Sequence, residues 1–126
     1  MIYKLKGPEK MIVISDTVPV AGIPETEIVI DGQLNHIRDG LLIREDGVIN
    51  GSVRTLNDGF KNLLSIGFPL KDISRMISGN PARLNGIFDR TGSIAEGKLA
   101  DLTVTDSEGN IHMTIINGEI IFDGTL

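Results

Sequence analysis

An α/β architecture is what this sequence predicts, on three observations. A short continuous apolar run, Met11 to Ser15, ends on the lone acid Asp16 in "MIVISDTVPVAG". Three Asp-Gly pairs, at 31–32, 39–40 and 46–47, separate β-prone segments. Between these and a β-rich C-terminal stretch lies a block whose apolar residues recur at helical spacing.

Residues 1–10 read as the tail of another element, "IYKLKG", closed by Gly7-Pro8. The run 11–15, with β-branched Val13 and Ile14, suits a strand buried on both faces, as in a parallel sheet. Such a strand needs neighbours, and no second run of its type lies nearby. From Glu27 the Asp-Gly pairs mark hairpin turns, because both residues tolerate positive φ. They predict an antiparallel meander with strands near 27–30, 33–38 and 41–44. "INGSVRT", 49–55, reads as a Gly-Ser loop ahead of a helix, with Thr55 as N-cap.

In the helical block, Leu56, Phe60, Leu63 and Leu64 share one face and Gly67 ends the helix. A second helix opens at Pro69 and places Leu70, Ile73, Met76 and Ile77 on one side. "NPARLNG" predicts a third, short helix with Asn80 as N-cap, Pro81 in its first turn and Gly86 as its stop. The C-terminal stretches "ADLTVTD", "NIHMTIING" and "EIIFDG" read as strands joined by turns at 107–109 and 117–118.

The chain has 126 residues, 40% hydrophobic and 23% charged, with 4% aromatic residues and no Trp, so its core must be aliphatic. The net charge of −5 argues against a nucleic-acid partner, which would select a basic face. The absence of Cys excludes disulfides and thiolate metal sites. No apolar run approaches the roughly 20 residues that span a bilayer, so no membrane role is expected. The polar start "MIYKLKGPEK" does not suit a signal peptide, and a cytoplasmic location is expected.

Few residues suggest chemistry. Asp16 is either a turn or capping residue, or a catalytic carboxylate at the C-terminal end of a barrel strand. His36 and His112 sit singly within predicted strands, far apart and without a His-x-His pair, and read as solvent-facing. The Gly51-Ser52 stretch is either a plain turn or a loop whose backbone touches a polar ligand. It lacks the Gly spacing and Lys of a P-loop. "GSIAEGKLADL" reads as a tight turn feeding a strand, with no chemistry assigned.

Taken together, these stretches resemble a known superfamily. "NPARLNGIFDRTGSIAEGKLADLTVTD", 80–106, is similar to the C-terminal signature of the amidohydrolases, an NPA helix followed by a G-x-I-x-x-G-x-x-A-D-L turn. "VISDTVPVAG" resembles the strand-eight segment of N-acetylglucosamine-6-phosphate deacetylases. "RDGLLIREDGVINGSVRTLNDGFKNLL" resembles their K-D-G, L-E-D-G-T-L-A-G-S and helix segments, with Asn50 and Val53 replacing a small residue and Thr.

The resemblance implies a C-terminal fragment of a (β/α)8 metal-dependent hydrolase barrel with part of its small β-sandwich domain. Residues 1–26 would supply the last barrel strand and catalytic loop, and 27–54 the meander and Gly-Ser loop. Residues 55–88 would supply barrel helices, and 89–126 sandwich strands. It implies an enzyme of amino-sugar metabolism that deacetylates N-acetylglucosamine 6-phosphate. Asp16 would be the general base for a metal-activated water, and Ile49, Gly51 and Ser52 would lie near the sugar. The complete enzyme would hold a divalent metal of zinc or iron type. This chain matches none of the family's ligand positions, so its own metal set is expected to be none, and the chain alone is expected to be inactive. Its partners would be the missing N-terminal part of the barrel, or another copy through bare strand edges. A non-catalytic structural or oligomerisation module, or a fragment of another amidohydrolase such as a deaminase, stays open.

Overall fold

The computed structural model describes residues 1–124; the last two residues of the 89–126 segment lie outside the described residues. The chain divides into two compact units, Ile14–Gly59 and Met1–Val13 with Phe60–Leu126.

The first unit holds a four-stranded antiparallel meander: β1 (Glu27–Ile30), β2 (Gln33–Arg38), β3 (Leu41–Arg44) and β4 (Ile49–Ser52), in that spatial order. Asp31-Gly32 and Asp39-Gly40 form two-residue turns with both φ angles positive, 50° and 77° in one and 51° and 78° in the other. That backbone matches the twist of the flanking strands. Asp46-Gly47 lies in the longer connection from β3 to β4. There Arg44 pairs with Asp46, whose carboxylate also accepts the Val48 amide at 3.2 Å. The charge-assisted bond from Arg44 holds the Asp46 carboxyl below the usual aspartate range.

The Gly-Ser loop expected at 49–55 is therefore a strand over its first four residues. The sequence concealed it because Asn50 and Gly51 have low β-propensity. Tertiary pairing supplies what propensity lacks. The register shifts between Leu42 and Ile43, whose partners are Gly51 and Ile49, so Asn50 is the extra residue of a bulge. The Asn50 side chain donates to Oδ1 of fully buried Asn35 at 3.2 Å, and Asn35 donates to the Gln33 carbonyl at 2.9 Å. The buried amide is thereby satisfied.

The strand expected at 11–15 is not formed. Met11–Ser15 joins no ladder among the described residues, and Ile14 is 75% exposed. A parallel strand exists only through its neighbours' hydrogen bonds, and none is offered here. Residues 1–10, read from sequence as a tail, form a short helix α1 (Ile2–Lys6) and a 3₁₀ turn, Pro8–Lys10.

Helix α2 (Leu56–Ser65) is capped as expected: Thr55 and Asp58 bond reciprocally, with the Thr55 amide donating to the Asp58 carboxylate at 2.6 Å. It ends in a Schellman arrangement, with the Phe68 amide donating to the Leu63 carbonyl and Gly67 at φ 82°.

The second and third helices are not separate. Helix α3 (Leu70–Ser74) passes through a π turn (Arg75–Gly79) directly into α4 (Asn80–Leu84). Asn80 has helical φ and ψ, so it is no N-cap. Pro81 brings no amide to the ladder, and a wider π turn just ahead of it absorbs the change of register. Ile73, Met76 and Ala82 on this composite helix are buried. The Asn80 side chain serves the N-terminal segment instead, donating to the carbonyls of Pro8 at 2.7 Å and Met11 at 2.6 Å. The Val13 amide donates to the Met76 carbonyl, Arg75 pairs with Glu9, and the Tyr3 hydroxyl donates to Asp72. The bond to Asp72 raises the Tyr3 pKa, because ionising the phenol would set it against a carboxylate.

The C-terminal signature is structural in its contacts. A Cβ on Gly92, at φ 85°, would fall 2.5 Å from the Ala82 Cβ, so the loop crosses α4 at a distance only glycine allows. Asp101 accepts the Asn117 amide at 2.9 Å, and the Ala100 carbonyl accepts the Gly118 amide at 3.1 Å. These bonds tie the entry of β5 (Leu102–Thr105) to the Asn-Gly turn between β6 (Ile111–Ile116) and β7 (Glu119–Asp123), which form a second antiparallel sheet. Ile120, Ile121 and Phe122 of β7 are exposed.

Candidate active site

The residues singled out from sequence, Asp16, Ile49, Gly51 and Ser52, all lie in the Ile14–Gly59 unit. The structure joins three of them. Thr17 and Ser52 form an isolated parallel bridge. Around it the Ser52 amide donates to the Asp16 carbonyl at 3.3 Å, and the Val18 amide donates to the Ser52 carbonyl at 2.8 Å. Asp16 is thus seated beside the end of β4. Ile49 is three residues further back on β4, paired with Ile43, and its side chain is exposed.

The backbone at Asp16 is unusual. Among the described residues, non-glycine residues with φ near +50° are Asp16, Asp31, Asp39 and Asn117. The last three each precede a glycine in a two-residue hairpin turn. Asp16 precedes Thr17 and sits in no such turn. The left-handed region costs an L-residue on the order of 1–2 kcal/mol, less for Asp, and persists where surrounding bonds impose it. Asp16 is exposed, and its carboxylate makes no side-chain hydrogen bond or ion pair among the described residues. A carboxylate held by its backbone and free at its oxygens can accept or release a proton.

Residues that sequence reasoning did not select complete the arrangement. Thr17 Oγ1 donates to the Arg54 carbonyl at 2.5 Å. The Arg54 amide donates to Ser52 Oγ at 3.0 Å, and the Arg54 guanidinium donates to the Asp39 carbonyl at 2.9 Å. A Cβ on Gly51, at φ 133°, would fall 2.3 Å from Val18 Cγ1. No sequence signal could have found the contacts of Thr17 with Arg54 and of Val18 with Gly51, because each joins residues more than 30 positions apart.

The histidines stay apart from this arrangement. Each sits on its expected strand beside a carboxylate, His36 3.3 Å from Glu27 and His112 3.4 Å from Asp106. Only about a fifth of the His36 side chain is exposed, so it is more covered than its sequence pattern suggested. Among the described residues no three of His, Cys, Asp and Glu come together as metal ligands. The residues present therefore do not fit the divalent metal that the resemblance implies, which would need ligands from elsewhere. Among the described residues, no helix is long and apolar enough to cross a membrane.

Comparison with known proteins shows what the chain is similar to. The N-acetylglucosamine-6-phosphate deacetylase of Bacillus subtilis is 32% identical over 123 residues, which are 97% of this chain and 31% of that protein. The crystal structure of the Pasteurella multocida N-acetylglucosamine-6-phosphate deacetylase superposes with a TM-score of 0.84 at 32% identity, over 94% of this chain and 31% of that one. The Thermotoga maritima deacetylase gives 0.87 at 29% identity, over 97% of this chain and 34% of that one. The chain thus spans about a third of the length of the relatives it matches. The amidohydrolase family pattern covers residues 4–121, and the chain belongs to the amidohydrolase family.

Proposed function

We propose that this chain is the C-terminal portion of a hydrolase that converts N-acetylglucosamine 6-phosphate and water to glucosamine 6-phosphate and acetate. Asp16 takes a proton from the attacking water and delivers it to the amine as the C–N bond breaks. Gly51 and Ser52 lie alongside the sugar, and Ile49 borders it through its backbone. The observation that carries the reading is the likeness to deacetylases over 97% of the chain. The seating of Asp16 beside Ser52 supports the assignment of roles. Alone, the chain turns over nothing, and its partner is a barrel segment bearing a His-x-His pair. The stretch 11–15, which joins no ladder among the described residues and leaves Ile14 in water, supports a need for such a partner.

The test is complementation. The chain is produced with and without a barrel segment from one of the deacetylases, and acetate release from N-acetylglucosamine 6-phosphate is measured. Activity that appears only with both pieces is the expected result. No release from the combined pieces, with the chain a stable lone monomer, overturns the reading in favour of a non-catalytic module. Release of ammonia from a panel of deaminase substrates instead would reassign the reaction.

A further inference from the structure

We propose that Thr17 and Gly51 are positioning residues, a latch that imposes the left-handed backbone of Asp16 and so sets where its carboxylate points. The inference deepens the deacetylase reading and rests on it for its catalytic consequence, though the latch itself is independent of any reaction.

Four observations converge on it. Asp16 holds φ 51° without the following glycine that accompanies the other non-glycine residues of this kind. A conformation the local sequence does not favour must be imposed from a distance. The imposing contacts are those of Thr17–Val18 with Ser52–Arg54. The bridge pairs Thr17 with Ser52, and two backbone bonds flank it. The Thr17 hydroxyl adds a third bond, to the Arg54 carbonyl. Arg54 is itself fixed: its amide bonds Ser52 Oγ and its guanidinium caps the Asp39 turn, so the acceptor is anchored to the meander.

Gly51 provides the room. Val18 Cγ1 occupies the space where a Cβ on residue 51 would stand. Any side chain there pushes Val18 away from Ser52 and opens the bridge. Gly51 then acts on the reaction through the backbone of 16–18, in addition to any place it has beside the sugar. The Thr17 hydroxyl is engaged with the Arg54 carbonyl, so Thr17 acts through the peptide that joins it to Asp16.

The test uses the 126-residue chain, followed by amide hydrogen exchange and NMR couplings that report φ at Asp16. Thr17→Val is nearly isosteric and removes only the hydroxyl; Thr17→Ser keeps it. In Thr17→Val, protection of the Val18 and Ser52 amides is expected to fall about tenfold, as for loss of one hydrogen bond. Protection of the Ile37 amide, which bonds the Thr26 carbonyl elsewhere in the same meander, stays unchanged, and Asp16 leaves the left-handed region. Thr17→Ser restores both, and Gly51→Ala reproduces the Val result. Retained protection at Val18 and Ser52, a left-handed Asp16 in Thr17→Val, or equal loss at Ile37 would each overturn the latch. In the two-piece enzyme, Thr17→Val is expected to lower kcat about tenfold at constant KM, and Ser to restore it. If Asp16→Asn keeps full activity there, the general-base role fails, while the exchange data still decide the latch.

Discussion

Asn80 offers a test of how the N-terminal segment is held. Its side chain is almost fully buried and donates from one nitrogen to two carbonyls, Pro8 and Met11. Asn80→Ala removes both bonds and leaves those carbonyls without this donor. Each such bond contributes about 1 kcal/mol, with a further desolvation cost where an acceptor is stranded, or about 2–3 kcal/mol in all. Alanine regains roughly 0.5 kcal/mol in helix propensity, because position 80 is helical. A net loss of about 2 kcal/mol is expected in urea denaturation at unchanged m-value. Asn80→Asp separates packing from hydrogen bonding. It keeps the shape but sets a carboxylate against two carbonyl oxygens, so near pH 7 it should cost more than alanine. An Asp variant within about 0.5 kcal/mol of the native chain would refute the reasoning, since packing alone would then account for the residue.

Three further outcomes are expected. Gly92→Ala should destabilise by about 1–3 kcal/mol, because its Cβ meets Ala82 and its φ is positive; calorimetry reads this, and a neutral result would mean the loop can lift off α4. Arg83 and Lys98 each place a cation on the Phe88 ring, 3.6 Å and 3.7 Å from its centroid, so Phe88→Leu should cost about 1–2 kcal/mol and lose most of the coupling to Arg83 in a double-mutant cycle. Asp106 accepts the Asn110 side chain and amide, the Glu108 amide and His112, and its pKa falls from 3.8 to about 2. A lowered carboxyl pKa stabilises above the unfolded value. That stability should therefore be lost between about pH 4 and pH 2, and Asp106→Asn should flatten that part of the pH–stability curve.

Much of the meander was legible, and for a definable reason. Asp31-Gly32 and Asp39-Gly40 need positive φ at both positions, which few residue pairs tolerate, so they fix β1, β2 and β3 to the residue. Strand β4 was not legible because Asn50 and Gly51 are poor strand formers held by β3 and the Thr17 bridge. "NPAR" looks like a helix start by local rules, yet the π turn at Arg75–Gly79 carries the helix through it and frees the Asn80 side chain for Pro8 and Met11. The run Met11–Ser15 has the composition of a buried strand, but composition cannot supply a ladder partner. At the candidate site the choice of Asp16 came from a resemblance. Its left-handed backbone has no local signature, because Thr17, Ser52 and Arg54 meet only in the folded chain.

The proton-handling role of Asp16 is tested most directly by Asp16→Asn in the two-piece enzyme, with acetate release measured at saturating substrate. The amide keeps the size of the side chain and removes its basicity. Turnover should fall by about 10² or more while the pieces still associate. Turnover close to that of the native assembly would contradict the role outright.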